Sequence, residues 1–187
     1  KDNIERVIKK AESGENLNLE EIRYEGYAPG GVALIVDAVT DNRNRTAAEV
    51  RSAFTKFGGN LGETGSVSFM FNNIGYIVYK NEIKNDEEIL EIAIDVGADD
   101  VSSNEQTHEI ITSISEFNNV REKLDDLLGA PEQAELVWQP ENYVLVEDLQ
   151  RATSILKLID TLDNCDDVQG VYGNFEINEE TLKLIEI

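Results

Sequence analysis

The run RYEGYAPGGVALIVDAVT, residues 23 to 40, constrains this chain more tightly than any other stretch. From Leu19 to Tyr27 residues alternate, with Ile22 and Tyr24 set against Arg23 and Glu25, the period of a strand. VALIVDAV, residues 32 to 39, is apolar almost throughout and reads as a well-buried strand. Between them Pro29 fixes its own φ, while Gly30 and Gly31 permit backbone angles that other residues avoid. Two strands and a tight turn predict a β-hairpin.

A helix is expected next. Thr46 followed by Glu49 matches a capping box, with Thr46 as N-cap. Val50, Ala53, Phe54 and Phe57 then form one apolar stripe, and Gly58-Gly59 close it. On this reading Arg43 and Arg45, set among Asp41, Asn42 and Asn44, sit just before the helix N-terminus. Free N–H groups and the positive end of the helix dipole gather there, so the pair forms a candidate clamp for phosphate or carboxylate.

The rest of the chain supplies alternating elements. SVSFMF (66–71) and IGYIVYK (74–80) read as strands, and 86–95 as a helix with Ile89, Leu90, Ala93 and Ile94 inward. Short strands follow near 99–102 and at 107–113, then a helix over about 115–128 and a strand over 134–140. The order β-α-β-β-α-β over 74–140 is that of a ferredoxin-like split βαβ unit. A long helix (147–163), a strand (168–177) and a short helix (179–185) complete the tail. DNIERVIKKA, residues 2–11, carries helical spacing at the start. The expected fold is α+β with two lobes. Residues 1–14 form a remnant helix, 15–71 plus 141–187 a discontinuous α/β domain, and 72–140 an inserted ferredoxin-like domain.

Charge narrows the function. Lys and Arg number 16 against 38 Asp and Glu, a formal net charge of −22, which repels nucleic acid at long range. The acids are unevenly spread. Asp86 to Glu105 contains no Lys or Arg, whereas Arg43, Arg45, Arg51 and Lys56 face only Glu49 between Asn42 and Lys56. No run of about 18 apolar residues occurs, so no membrane span is expected. No secretory signal is visible. The single cysteine, Cys165, forms no internal disulfide and fits a reducing compartment. The chain starts at Lys1 inside a helical pattern, with Met70 its one methionine, as expected of a piece of a longer protein.

Three long blocks give the chain a family likeness: Tyr-Glu-Gly-Tyr from Tyr24, Pro-Gly-Gly-Val from Pro29, and Asp-Asn-Arg-Asn-Arg-Thr from Asp41. Tyr24 to Phe71 resembles the central signature of the YebC/PmpR family. KDNIERVIKKA and the tail VEDLQRATSILKLIDTLDNCDDVQGVYGNFEI are similar to the same family, so the likeness covers essentially the whole chain. The resemblance implies a non-enzymatic regulator with a basic helical first domain, here reduced to its last helix, followed by two α/β domains. It implies a nucleic-acid partner, either ribosomal RNA in translation or duplex DNA in transcription, with ribosomal proteins as possible neighbours. It implies no cofactor, membrane or small-molecule substrate, and a bacterial cytoplasm or a mitochondrial matrix.

Each candidate residue has a plainer reading. Arg43 and Arg45 pair with this protein's many carboxylates or bind phosphate through the Arg fork, and the signature tips the choice toward phosphate. Arg51 and Lys56 widen the basic strip. Tyr27, Gly30 and Gly31 form a turn or a close approach to a partner. Tyr24, Tyr27, Phe69 and Phe71 are core aromatics or base-stacking faces, with Tyr27 the best placed for stacking. GGNLGETG, residues 58 to 65, reads as a structural loop. His108 is read as a surface or sheet residue, and Cys165 in DNCDD as an unreactive thiol. One Cys and one His leave no zinc site. The acidic run reads as a solvated face, not a calcium loop; a third function class, an acidic protein–protein adaptor, would use that run and need no arginine clamp.

Overall fold

The computed structural model describes residues 18–185, so the helix expected over 2–11 lies outside the described residues. Residues up to Phe71 and those from Pro140 onward form one compact unit, and Asn72–Gln139 form another. Strands β1 (Glu20–Ala28) and β2 (Val32–Thr40) pair antiparallel from Glu20 with Thr40 to Ala28 with Val32. Gly30 and Gly31 turn the hairpin at φ of 82° and 76°, a region that disfavours a side chain. Gly30 has a second reason to be glycine, since a Cβ there would lie 2.5 Å from Cδ of Arg151.

Helix α1 (Arg43–Lys56) follows, then β3 (Asn60–Leu61), which pairs with Gly26 and Tyr27 of β1. No strand forms over 66–70. Val67 and Phe71 are buried four residues apart, with a single 3₁₀ turn, Ser68–Met70, between them. The expected alternation fails because the buried Glu25 carboxylate captures the amides of Gly65, Val67 and Ser68. A ladder would have used those donors.

The next strand, β4 (Phe71–Lys80), enters the second unit, continuing through α2 (Asp86–Val96), β5 (Asp100–Ser103), β6 (Thr107–Thr112), α3 (Phe117–Leu128) and β7 (Gln133–Pro140). The sheet order β5-β6-β4-β7 is that of the ferredoxin-like split βαβ unit. Ile77, Tyr79 and Ile110 of the sheet pack on Ile89, Ala93 and Val96 of α2 and on Phe117, Val120 and Leu124 of α3. Leu90 and Ile94, expected inward, are instead 49% and 65% exposed. The buried stripe of α2 runs 89-93-96, and its neighbours lie about 100° around the helix.

The tail adds β8 (Val144–Val146), α4 (Leu149–Asp163), β9 (Val168–Gly173), β10 (Phe175–Ile177) and α5 (Glu179–Leu184). The strand expected over 168–177 is broken at Asn174. Its Oδ1 accepts from Ala33 N at 2.8 Å and its carbonyl accepts from Val144 N at 2.7 Å. The chain thereby leaves β2, which β9 pairs, for β8, a strand absent from the sequence reading and parallel to β10. In the first unit's sheet, ordered β3-β1-β2-β9, Val32, Leu34 and Val36 pack against Val50, Ala53 and Phe54 of α1 and against Ala152, Ile155, Leu158 and Leu162 of α4. By alternation, Glu25, Tyr27 and Ile35 point to the other face.

Candidate nucleic-acid interface

The entrance to α1 departs from the capping box expected at Thr46. Asn42 is the N-cap, its Oδ1 accepting from Arg45 N at 3.1 Å. Arg43 and Arg45 therefore lie inside the first turn. Thr46 is buried one turn in, and its hydroxyl donates to Asp167 Oδ2 at 2.7 Å. Thr40 donates to the same oxygen at 3.1 Å. The first turn contains no acidic residue, so only Arg43 and Arg45 carry formal charge there.

The two arginines have different surroundings. Arg45 Nη2 lies 2.7 Å from Asp167 Oδ2 and 2.9 Å from Asp41 Oδ1, and its side chain is 36% exposed. The Asp167 contact, followed by the effect of Asp41, raises the Arg45 pKa despite partial burial. Burial pushes the Asp167 carboxyl up, but its bonds from Arg45, Thr46 and Thr40 outweigh that and hold it below the usual range. Arg45 is the cationic member of a buried polar knot joining β2, α1 and the approach to β9. Arg43 points outward. Its side chain is 68% exposed and pairs with the exposed Glu20, at 3.2 Å, a pair worth about 0–1 kcal/mol.

Beyond Arg43, the outer surface of α1 carries Asn44, Ala48, Glu49, Arg51, Ser52, Thr55 and Lys56, all exposed. Arg51 lies two turns beyond Arg43, and among the described residues no carboxylate is paired with it. Lys56 Nζ rests 5.3 Å from the Phe57 ring centre. Tyr24, on β1 beneath, has its hydroxyl pKa raised first by burial, while Arg43 and Arg51 act in the opposite sense. The electrostatic reach of both arginines thus falls on one patch. Arg43, Arg51 and Lys56 are the exposed cations of α1, with Glu49 an exposed acid among them. Arg43 and Arg51 flank one patch, while Lys56 lies at the far end of the helix and well around its axis. Asn44 and Ser52 add polar groups of the kind that phosphate oxygens accept from.

Tyr27, Gly30 and Gly31 are not part of that cluster. Gly58, just past α1, lies against Pro29 of the hairpin turn, whereas Arg43 meets Glu20 at the opposite end of the sheet. The 14-residue helix separates the two ends by about 20 Å. Gly31 is open, with nothing within 4 Å of a Cβ built on it, and Tyr27 is exposed on the sheet face away from α1. Of the other aromatics, Phe71 is buried, Tyr24 is half-buried and Phe69 is exposed.

Sequence reasoning missed the two carboxylates that organise this unit. Asp167 had a weak signal, its place in an acidic run just before a strand. Glu25 had none, since the alternation of β1 sets it with Arg23 on the side away from α1. His108, read as a surface or sheet residue, is wholly buried in β6. Its Nε2 donates to Lys84 O at 2.8 Å, and its Nδ1 lies 2.7 Å from Ser103 Oγ. The Cys165 thiol is pushed up by burial and then by Glu49, Asp166 and Asp167. Among the described residues no group of three or more His, Cys, Asp or Glu is placed to hold a metal, and no helix is long and apolar enough to cross a membrane.

The profile of the TACO1/YebC second and third domain matches residues 19–175. A probable transcriptional regulatory protein of Rickettsia bellii (strain OSU 85-389) is 52% identical over all 187 residues, which cover 73% of that protein. Its counterpart in strain RML369-C is 51% identical over the same span, 74% of its length. Among solved structures, the conserved hypothetical protein Aq1575 from Aquifex aeolicus superposes with a TM-score of 0.81 at 49% identity, covering 95% of this chain and 74% of that one. A profile match across most of the chain and identities near one half place this protein in the TACO1/YebC family.

Proposed function

We propose that this protein is a non-enzymatic regulatory factor that binds ribosomal RNA and assists translation, with the exposed strip of α1 as its contact surface. The observation that carries this reading is the charge arrangement on α1. In a chain of net charge −22, Arg43, Arg51 and Lys56 are exposed on one helix. Cations so placed attract phosphate locally while the acidic remainder discourages indiscriminate docking. Asn44 and Ser52 add donors along the same surface, whereas the Thr55 hydroxyl donates to Arg51 O at 2.9 Å. Arg45 supports the site by fixing the first turn through Asp167, and phosphate contact falls to Arg43.

The second reading, a duplex-DNA regulator of transcription, is favoured by the names of the Rickettsia relatives. The same strip would serve, since phosphate contact alone does not distinguish RNA from DNA. Sedimentation of the full chain through a sucrose gradient with ribosomes, with and without nuclease, separates the two. Translation requires that the wild type travel with ribosomes and that Arg43→Glu with Arg51→Glu release it. Absence from ribosomes together with selective retention on one duplex would replace this reading with the transcriptional one.

A further inference from the structure

Phe69 is the most exposed large apolar side chain among the described residues, at 71%. A solvent-facing phenyl ring on a loose loop is unremarkable, because mobile loops shed their contacts easily. The segment carrying Phe69 is built differently. Glu25, wholly buried in β1, accepts from Gly65 N at 2.6 Å through Oε2. Its Oε1 accepts from Val67 N at 3.1 Å and Ser68 N at 2.6 Å. Its backbone carbonyl accepts from Gly62 N at 2.8 Å, so one residue fastens both ends of the 62–68 loop. Burial pushes the Glu25 carboxyl up, but the amides of Gly65, Ser68 and Val67 outweigh it and keep it below its ordinary range. Buried Val67 and Phe71 act as pegs on either side, and Met70 O accepts from Glu141 N at 3.0 Å. The ring is held out by design of the backbone around it.

We propose that Phe69 is a stacking contact for an unpaired base of the nucleic-acid partner, and that Glu25 is the positioning residue that presents it. This rests on the nucleic-acid reading above and adds a second point of attachment, distinct from the α1 strip. Arg43, Arg51 and Lys56 supply charge but no flat apolar surface, whereas Phe69 supplies that surface with no charge of its own. An aromatic ring held at fixed orientation stacks a base with little further ordering cost, and every base offers a face to it. Duplex bases are already stacked on each other and cannot use it, so the site selects single-stranded segments.

The test is fluorescence anisotropy of the full chain with a labelled 12-nucleotide single-stranded RNA and the same RNA annealed to its complement. Phe69→Ala is expected to weaken single-strand binding about tenfold, within the range for loss of one stacked base, and to leave duplex binding nearly unchanged. Phe69→Trp is expected to restore it. Glu25→Gln should weaken single-strand binding when Phe69 is present and add little to Phe69→Ala, as a double-mutant cycle would report for a positioning role. If Phe69→Ala leaves single-strand affinity within twofold while Arg43→Glu with Arg51→Glu abolishes it, the stacking proposal is wrong and the α1 reading stands. If Phe69→Ala instead removes a protein contact and no RNA affinity, the ring serves a protein partner and the proposal is overturned. If the wild type binds neither RNA nor ribosomes, the functional reading fails and this proposal with it.

Discussion

Two carboxylates, Asp167 and Glu25, lie buried in the same unit, and each organises one stretch of chain by a different chemistry. Asp167 collects side-chain donors: one arginine and two threonine hydroxyls. Glu25 collects chiefly backbone amides, those of Gly65, Val67 and Ser68, with one side-chain donor, Arg23 Nε at 3.3 Å. The first arrangement is written in residue types and breaks when one of them changes. The second is written chiefly in loop geometry and, with Glu25 in place, tolerates side-chain changes over 62–68 that keep the backbone path. A side-chain knot therefore leaves a sequence signature, here part of Asp-Asn-Arg-Asn-Arg-Thr, while a backbone cradle leaves almost none.

That difference can be broken in several ways. The largest effect is expected from Arg45→Gln, which leaves Asp167 buried with only hydroxyl partners. The loss is about 3 kcal/mol, the low end for a broken buried pair because Arg45 is one-third exposed. Urea denaturation measures it, and a cost under 0.5 kcal/mol would show the knot to be ornamental. Glu25→Gln comes next, at about 2 kcal/mol, since an amide offers one acceptor atom where the carboxylate offered two. Hydrogen exchange should then speed up at Val67 and Ser68 before anything changes in α1. Equal acceleration in both places would mean the two stretches are not separate.

A smaller effect appears on acidification. Both carboxyls titrate below their ordinary values in the native state. The unfolded chain therefore takes up protons first as the pH falls. Their contribution is fully present above the ordinary carboxyl range, near pH 4, and is lost as the pH drops through the lowered native values. Thermal melts between pH 7 and pH 3 should show a steeper acid decline in the wild type than in Asp167→Asn or Glu25→Gln. An unchanged slope would remove both groups from the account of acid stability.

How much of this was legible follows from how local each cause is. The hairpin, α1, α2 and the β-α-β-β-α-β order were readable because their signals lie within a few residues: alternation, apolar stripes and glycines at turns. The N-cap falls at Asn42 and not at Thr46 because Thr46, which satisfies the local conditions for a cap, has its hydroxyl claimed by Asp167, 121 residues away. The strand expected over 66–71 vanished for the same kind of reason, its amides taken by a carboxylate some 40 residues earlier. Arg43 and Arg45 looked alike in sequence because nothing nearby reports that one of them faces a buried acid. In sequence the tail strand reads whole because Asn174, which transfers the chain from β2 to β8, resembles any polar residue in a strand.

On the proposed function these two arginines divide their labour, Arg43 meeting phosphate and Arg45 holding the fold. The most direct measurement compares Arg43→Gln and Arg45→Gln side by side, recording stability and the salt dependence of RNA affinity. Arg43→Gln is predicted to leave stability within about 0.5 kcal/mol and to reduce the slope of log K against log salt by about 0.7–0.9. Arg45→Gln is predicted to lower stability while keeping the wild-type slope wherever the protein remains folded. A folded Arg45→Gln variant with a reduced slope, beside an Arg43→Gln variant that binds as the wild type does, would contradict it.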